Sequence, residues 1–320
     1  MWSWLGGRFC LRSNVKVCSS CSRGSWSLLM MFSGIRNFVV NFIIQTSGSE
    51  ESLKSQRTLL NKLNLVLVSI LKQEWPHNWP TFINEIISSC HTSLSICENN
   101  MSILRLLSEE VFDYSQDQMT STKTKNLKTT MCAEFSSIFQ LCNEVLNSAT
   151  QPSLIKATLE TLLRFFNWIP LGYIFETPII DTLRTRFLET PEFRNITLKC
   201  LTEIGGLQTG PQNTYDEKLV KMFTEVLTSI SNIIPLTLDL KTTYNSSNSK
   251  DQEFIQNLAL FLCNFFSVHL NVSLLDYRSS WSLTSGSLSR ICQTATSLRM
   301  VTSISSASPK SKIAKSSRFV

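Results

Sequence analysis

Histidine, glycine and long apolar runs are scarce in this sequence, and each scarcity argues against a class of protein. The three histidines, His77, His91 and His269, lie near helix edges or turns. No serine or cysteine nucleophile stands in a recognisable strand-turn-helix setting, so we predict no enzyme. No apolar run reaches the roughly 18 residues that a bilayer span needs, so we expect no membrane insertion.

The few glycines and the cysteines predict no bound cofactor or metal. Gly205, Gly206 and Gly210 are neither preceded by a strand pattern nor followed by Gly-Lys-Ser/Thr, so they indicate a helix end and a turn rather than a nucleotide loop. Most of the ten cysteines lie in apolar helical patterns, as expected for buried thiols in a reducing compartment. Cys18 and Cys21 form a CxxC pair without the second ligand pair that zinc requires.

Charged residues are few, at 17% of the sequence, and they are unevenly distributed. The chain carries +6 overall, but residues 1–50 hold +4 and residues 271–320 hold +6. Residues 51–270 have 18 basic and 22 acidic side chains, a net charge of −4. A mildly acidic body favours a basic protein partner over a phosphate backbone, so we expect no direct contact with nucleic acid.

Apolar residues recur with the helical period from about Arg57 onward, and no strand-like alternation flanked by hairpin turns interrupts them. Residues 241–250, KTTYNSSNSK, are predicted to form an exposed, flexible linker. The pattern predicts an all-α protein with helices at 57–75, from 79 through 87, and at 98–113, 122–147, 152–168, 172–188, 191–204, 214–234 and 251–268.

The predicted helices form pairs, and the first helix of each pair begins near residue 80, 123, 172 or 215. Spacings of 43, 49 and 43 residues are typical of HEAT-type repeats, which stack into an α-α superhelix, a solenoid. The helix at 57–75 would be the second member of a truncated unit. Residues 1–33 form an unpatterned segment, which superficially suits a mitochondrial transit peptide but lacks a clean amphipathic period. Residues 271–320 form a basic Ser/Thr-rich tail, predicted to be disordered.

Five strings within residues 34–270 resemble the N-terminal HEAT repeats of exportin, a member of the importin-β superfamily. The resemblance covers about 230 of 320 residues, in the family's order and spacing. The strings are LKQEWPHNWPTFINEI at 71–86, ILRLLSEEVFD at 103–113, LETLLRFFNWIPLGYIFET at 159–177, FRNITLKCLTEI at 193–204 and FIQNLALFLCNFF at 254–266.

The resemblance implies a receptor that shuttles between nucleus and cytoplasm through the nuclear pore. Such a receptor binds the small GTPase Ran in its GTP form, nuclear pore proteins and cargo with leucine-rich export signals. The family's first repeat pair has no counterpart in residues 1–33, and the cargo groove lies beyond residue 320, so we expect cargo binding only in a full-length receptor. The alternative is a non-functional truncated scaffold, the product of a gene model with aberrant tails.

The resemblance also implies a role for one group of acidic side chains. In this superfamily the second helix of each pair lines the surface that meets the GTPase. One such helix ends here with three acidic residues, Glu109, Glu110 and Asp113. They are candidates for contacts with basic residues of Ran, and an ordinary solvated helix face is the alternative.

Two aromatic-proline steps occur at a helix-to-helix corner, Trp75-Pro76 and Trp79-Pro80. We predict that the rings fill the gap between adjacent repeats while the prolines set the helix ends. An aromatic pocket that binds a peptide is the alternative.

Overall fold

The computed structural model describes residues 23–113, 121–209, 214–234 and 240–275, and these residues contain helices without any strand. A π-helical turn at Glu109–Asp113 follows α5, and another at Leu183–Leu188 follows α9. The helices are α1 Arg23–Ser47, α2 Glu50–Ser55, α3 Arg57–Glu74, α4 Phe82–Cys90, α5 Leu94–Ser108, α6 Ser121–Ser148, α7 Pro152–Phe165, α8 Leu171–Phe175, α9 Ile179–Thr182, α10 Arg194–Gly205, α11 Asp216–Ile233, α12 Leu240–Ser246 and α13 Ser249–Leu275.

Helix α3 shows how the local sequence sets an element. Leu60, Leu67, Val68 and Leu71 recur on one face, and all four are buried. The helix ends before Trp75, whose backbone is extended, because a proline disfavours helical geometry in the residue before it.

The helices pack in pairs and in two layers. Helix α1 packs on α3, α4 on α5, α6 on α7, and the turn at 183–188 on α10. At the end of the array Phe223 of α11 stacks on Phe265 of α13, with ring centroids 4.0 Å apart. The second helices α3, α5, α7, α10 and α13 contact one another in that order, and one apolar core runs from Val39 to Phe265. The predicted all-α, HEAT-like repeat fold is confirmed.

The beginning of the array differs from the prediction. Helix α1 starts at Arg23, within the segment 1–33 that was expected to lack a pattern, and buries Val39 and Ile43. Polar residues and a glycine interrupt its apolar run and hide the helical period in the sequence. Because α1 packs on α3, the helix at 57–74 belongs to a complete pair, and the prediction of a half-repeat is wrong. At the other end α13 continues to Leu275, past the predicted boundary at residue 270.

Two further segments also depart from the sequence pattern. The single helix predicted over 172–188 is three pieces, because Pro178 lies between α8 and α9 and cannot donate a backbone hydrogen bond. The predicted flexible linker at 241–250 is wrong, since most of it lies in α12. Gln252 Nε2 donates to the carbonyl oxygen of Tyr244 over 3.1 Å, and Gln256 Nε2 donates to the Tyr244 hydroxyl over 2.9 Å.

The glycine pair forms the predicted helix end. Helix α10 ends at Gly205, and Asn264 of α13 donates from Nδ2 to the carbonyl oxygen of Thr202 over 2.8 Å. A Cβ atom on Gly206 would lie 2.2 Å from that nitrogen. A side chain at position 206 would therefore displace the Asn264 amide from its hydrogen bond to Thr202.

Candidate functional site

Two of the predicted acidic contact residues lie on the π-helical turn after α5, between two neighbouring second helices. Glu110 Oε2 lies 2.6 Å from Lys72 Nζ on α3. Glu109 Oε1 lies 2.8 Å from Arg164 Nε on α7. Only the backbone of Asp113 is described, so its carboxylate lies outside the described side chains. The turn thus ties α5 to the second helix on each side of it.

These ion pairs change what the acidic patch can do. Lys72 is only 8% exposed, and the side chains of Glu109 and Glu110 are 19% and 27% exposed. A half-buried carboxylate beside a cation attracts a further cation less strongly than a free carboxylate, because the field of the first cation opposes it. The two glutamates are therefore parts of the repeat interface as well as candidates for a partner contact.

Three contacts of glutamate side chains between the α5 region and α7 share one register. Ser153 Oγ donates to Glu98 over 2.6 Å, and Arg105 Nη1 donates to Glu160 over 2.5 Å; in each pair the residues are 55 positions apart. Glu109 and Arg164 are separated by the same number of positions. A constant offset along two helices means that they run parallel, turn for turn. The second helices therefore form a surface whose side chains hold fixed relative positions.

The two tryptophan side chains of the Trp-Pro corner are buried, whereas Pro80 is exposed. Trp75 is 2% exposed and Trp79 is 9% exposed. The Trp79 ring packs edge-on against Phe82, with centroids 5.1 Å apart, and its Nε1 donates to Glu85 over 3.1 Å. Pro76 and Pro80 lie in the connection between α3 and α4, and the Trp75-Pro76 peptide bond is cis. Rings in this position leave no open aromatic pocket at either tryptophan.

The sequence analysis missed a buried amide pair between α3 and α5. Asn64 Nδ2 donates to Asn99 Oδ1 over 2.9 Å, and Asn99 Nδ2 donates back over 3.2 Å. Asn64 is fully buried and occupies a position on the apolar face of α3 between Leu60 and Leu67. A polar residue at a core position was the available signal, because a buried amide needs partners for its hydrogen bonds.

Two of the described thiols and two of the described histidines occupy structural positions. Burial raises the pKa of the Cys142 and Cys200 thiols, which keeps them protonated and unreactive. His91 Nδ1 lies 3.8 Å from Glu144 on an exposed surface, while His269 is buried and its Nε2 contacts the carbonyl oxygen of Gly205 at 3.0 Å. Among the residues that the structure describes, no group of three or more His, Cys, Asp or Glu could hold a metal ion. Within the same residues no helix combines the length and apolar character of a membrane span.

The buried histidine gives a testable pH dependence. Burial lowers the pKa of His269, so the folded chain disfavours its protonated form, and the contact with Gly205 only partly offsets this. The unfolded chain then binds more protons below its ordinary histidine pKa of about 6.5, so the free energy of unfolding decreases as the pH falls through that range. We expect His269→Gln to flatten this decline in urea titrations from neutral to mildly acidic pH. His77→Gln at an exposed position is the matched change of side chain, and an equal effect of both changes on the slope would contradict the assignment to the buried histidine.

The stacked pairs and the in-register second helices define an all-α repeat protein of the HEAT type. A family model described as Exportin 1-like protein matches residues 56–201. The chain is 60% identical over 237 residues to Exportin-1 of Schizosaccharomyces pombe, and these residues are 74% of this chain and 22% of that protein. It is 50% identical over 236 residues to Exportin-1 of Drosophila melanogaster, with the same coverage of both chains. Exportin-1 of Dictyostelium discoideum is 47% identical over 247 residues, or 75% of this chain and 23% of the relative.

The repeat region of this chain belongs to the exportin family, and the matched part is the N-terminal region of exportin. The chain spans about a fifth of the length of these curated relatives, as the shares of 22% and 23% show. The family resemblance predicted from the five sequence strings is confirmed.

Proposed function

We propose that this chain acts in nuclear export, as a receptor or part of one, and contributes the N-terminal side of a contact with GTP-loaded Ran. The observation that carries the proposal is the identity of 60% over 237 residues with an exportin. The ordered layer of second helices supports it, because side chains held in register need little further ordering when a partner binds.

The proposed mechanism is mutual stabilisation of one receptor conformation. Cargo with a leucine-rich export signal and GTP-loaded Ran each bind that conformation, so each raises the affinity of the other by the same coupling free energy. Hydrolysis of GTP in the cytoplasm removes one ligand and releases the other. The receptor shuttles between nucleus and cytoplasm and contacts nuclear pore proteins, without catalysis, nucleic-acid binding or membrane insertion of its own. We place cargo binding in a full-length receptor only.

The candidate contacts with Ran are Glu109, Glu110 and Asp113, whose negative charge suits basic residues of the GTPase. The internal partners Lys72 and Arg164 reduce this attraction, so we expect a modest effect on the association rate rather than a loss of binding.

Binding of the full chain to immobilised Ran tests the proposal, with Ran loaded with GTP or GDP. We expect retention of the GTP form only, and about a threefold lower association rate at low ionic strength for the double variant Glu109→Gln/Glu110→Gln. The exposed pair Glu189→Gln/Glu192→Gln makes the same charge change away from the turn and is the control. The Glu110 change also removes the charged partner of Lys72 and so can lower stability. Melting curves of each variant distinguish this loss of stability from a loss of contacts with Ran.

The alternative is a helical scaffold that folds but does not act as a receptor. A helical chain that binds neither form of Ran would favour this alternative. Equal binding of the GTP and GDP forms would also contradict the receptor proposal, because hydrolysis of GTP could then not trigger the release of cargo.

A further inference from the structure

A cleft of about 170 Å³ opens where α2, α3, α5 and α7 meet. Its lining includes no residue of the π-helical turn Glu109–Asp113, which we call the acidic turn. We call the cleft the basic cleft, because four cations line it: Lys54, Arg57, Arg105 and Lys156. Two carboxylates, Glu98 and Glu160, also belong to its walls. The lining therefore carries a net charge of +2 on a repeat region that is acidic over residues 51–270.

Only some of the charged side chains in this cleft have a hydrogen-bond or ion-pair partner within the described part of the protein. Glu160 accepts from Arg105 over 2.5 Å, and buried Glu98 accepts from Ser153 over 2.6 Å. Lys54 pairs with Glu50, also at 2.5 Å. Arg57 and Lys156 are exposed and have no ion pair or hydrogen bond from their side chains within the described part of the chain. Two free cations thus stand at the exposed edge of the cleft, where Arg105 neutralises Glu160 and Glu98 keeps its charge beside a neutral hydroxyl.

The backbone adds to this positive potential. Arg57 is the first residue of α3, and Ser153 is the second residue of α7, so the amino-terminal ends of two helices reach the cleft. Neither end has a side-chain cap, and the dipole of α7 places partial positive charge there, whereas at Arg57 the carboxyl-terminal end of α2 offsets the dipole of α3. Asn61 in the lining supplies a neutral hydrogen-bond donor, whereas the Ser102 hydroxyl already donates to the carbonyl oxygen of Glu98 over 3.4 Å.

We propose that the basic cleft binds an acidic segment of a partner protein through the carboxylates of its Asp or Glu side chains. The two unpaired cations lie on different helices, Arg57 on α3 and Lys156 on α7, which suits a segment with spaced carboxylates better than one compact anion. Glu98 and Glu160 in the walls oppose a phosphate dianion more strongly than a singly charged carboxylate. The proposal goes beyond Ran binding by the acidic turn, because the cleft and the turn share no residue and differ in sign of charge, although both lie along α3, α5 and α7.

Fluorescence anisotropy with the full chain tests this inference. The probe is a short labelled peptide in which Asp and Glu alternate with Gly and Ser, and the comparison peptide carries Asn and Gln in place of the acids. We expect the acidic peptide alone to bind, with an affinity that decreases as salt is added. The double variant Arg57→Glu/Lys156→Glu should weaken binding about tenfold. Lys62→Glu on the exposed side of α3, outside the cleft, should change it by less than about twofold.

Charge exchange provides a second readout that does not depend on loss of function. A peptide with Lys in place of its acids should bind the Arg57→Glu/Lys156→Glu variant better than it binds the original chain. Unchanged binding of the acidic peptide to that variant, or equal binding of the neutral peptide, would overturn the proposal. Binding of inorganic phosphate to the cleft without binding of the acidic peptide would assign the cleft to a phosphate ligand and would overturn the proposal as well.

Discussion

Replacing Phe135 with alanine is expected to destabilise the chain by about 3–5 kcal/mol, because the change removes the centre of a buried aromatic cluster. Phe135 on α6 is fully buried. Its ring centroid lies 5.0 to 5.8 Å from those of Phe139, Phe165, Trp168 and Tyr173. The cluster joins α6, α7 and α8, so a cavity there weakens two adjacent repeats at once. Urea denaturation followed by helical circular dichroism measures the loss.

The same chemical change at Phe38 is the control for this experiment. Phe38 on α1 is 67% exposed, so truncation there creates no cavity and should cost no more than about 0.5 kcal/mol. Similar losses at the two positions would show that the Phe135 cluster does not carry the packing that we assign to it.

The buried amide pair predicts a second large effect with a distinctive pattern. Asn64→Leu leaves the side-chain amide of Asn99 buried without its partner, so we expect a loss of about 1–3 kcal/mol. The double variant Asn64→Leu/Asn99→Leu removes both polar groups and should be more stable than the sum of the two single changes predicts. Melting or urea curves of the two single variants and the double variant give the coupling energy.

The exposed residue Asn84 on α4 provides the matched control, since Asn84→Leu leaves no buried amide behind and should be nearly neutral. Additive losses for the Asn64 and Asn99 changes would contradict a reciprocal hydrogen-bonded pair. Asn99 also lines the basic cleft, so peptide binding to the double variant should be measured alongside stability.

Most helices could be predicted from the sequence because the information is local. Helix α3 has its apolar period and a stop before Pro76, and α6 spans Ser121–Ser148 against a prediction of 122–147. The errors fall where local signals conflict. In α1 polar interruptions mask the period, and in the segment 172–188 an internal proline breaks a helix that the apolar residues alone would continue.

The candidate site was predictable only in part. Glu109 and Glu110 are conspicuous in sequence as adjacent acids at the end of a helix, but their partners Lys72 and Arg164 lie 38 and 55 residues away. No local pattern links such residues. The same limit applies to the basic cleft, whose two free cations, Arg57 and Lys156, come from different repeats.

By itself, the sequence determined the helical class, the pairing of helices and the exportin family, since these follow from the helical period and from strings of residues that can be read along the chain. Only the tertiary structure decided that α1 completes the first pair, that the predicted acidic patch is tied to internal cations, and that free cations gather in the basic cleft. The physical reason is that these features depend on the register between stacked helices. That register is set by side-chain packing across tens of residues rather than within any one segment.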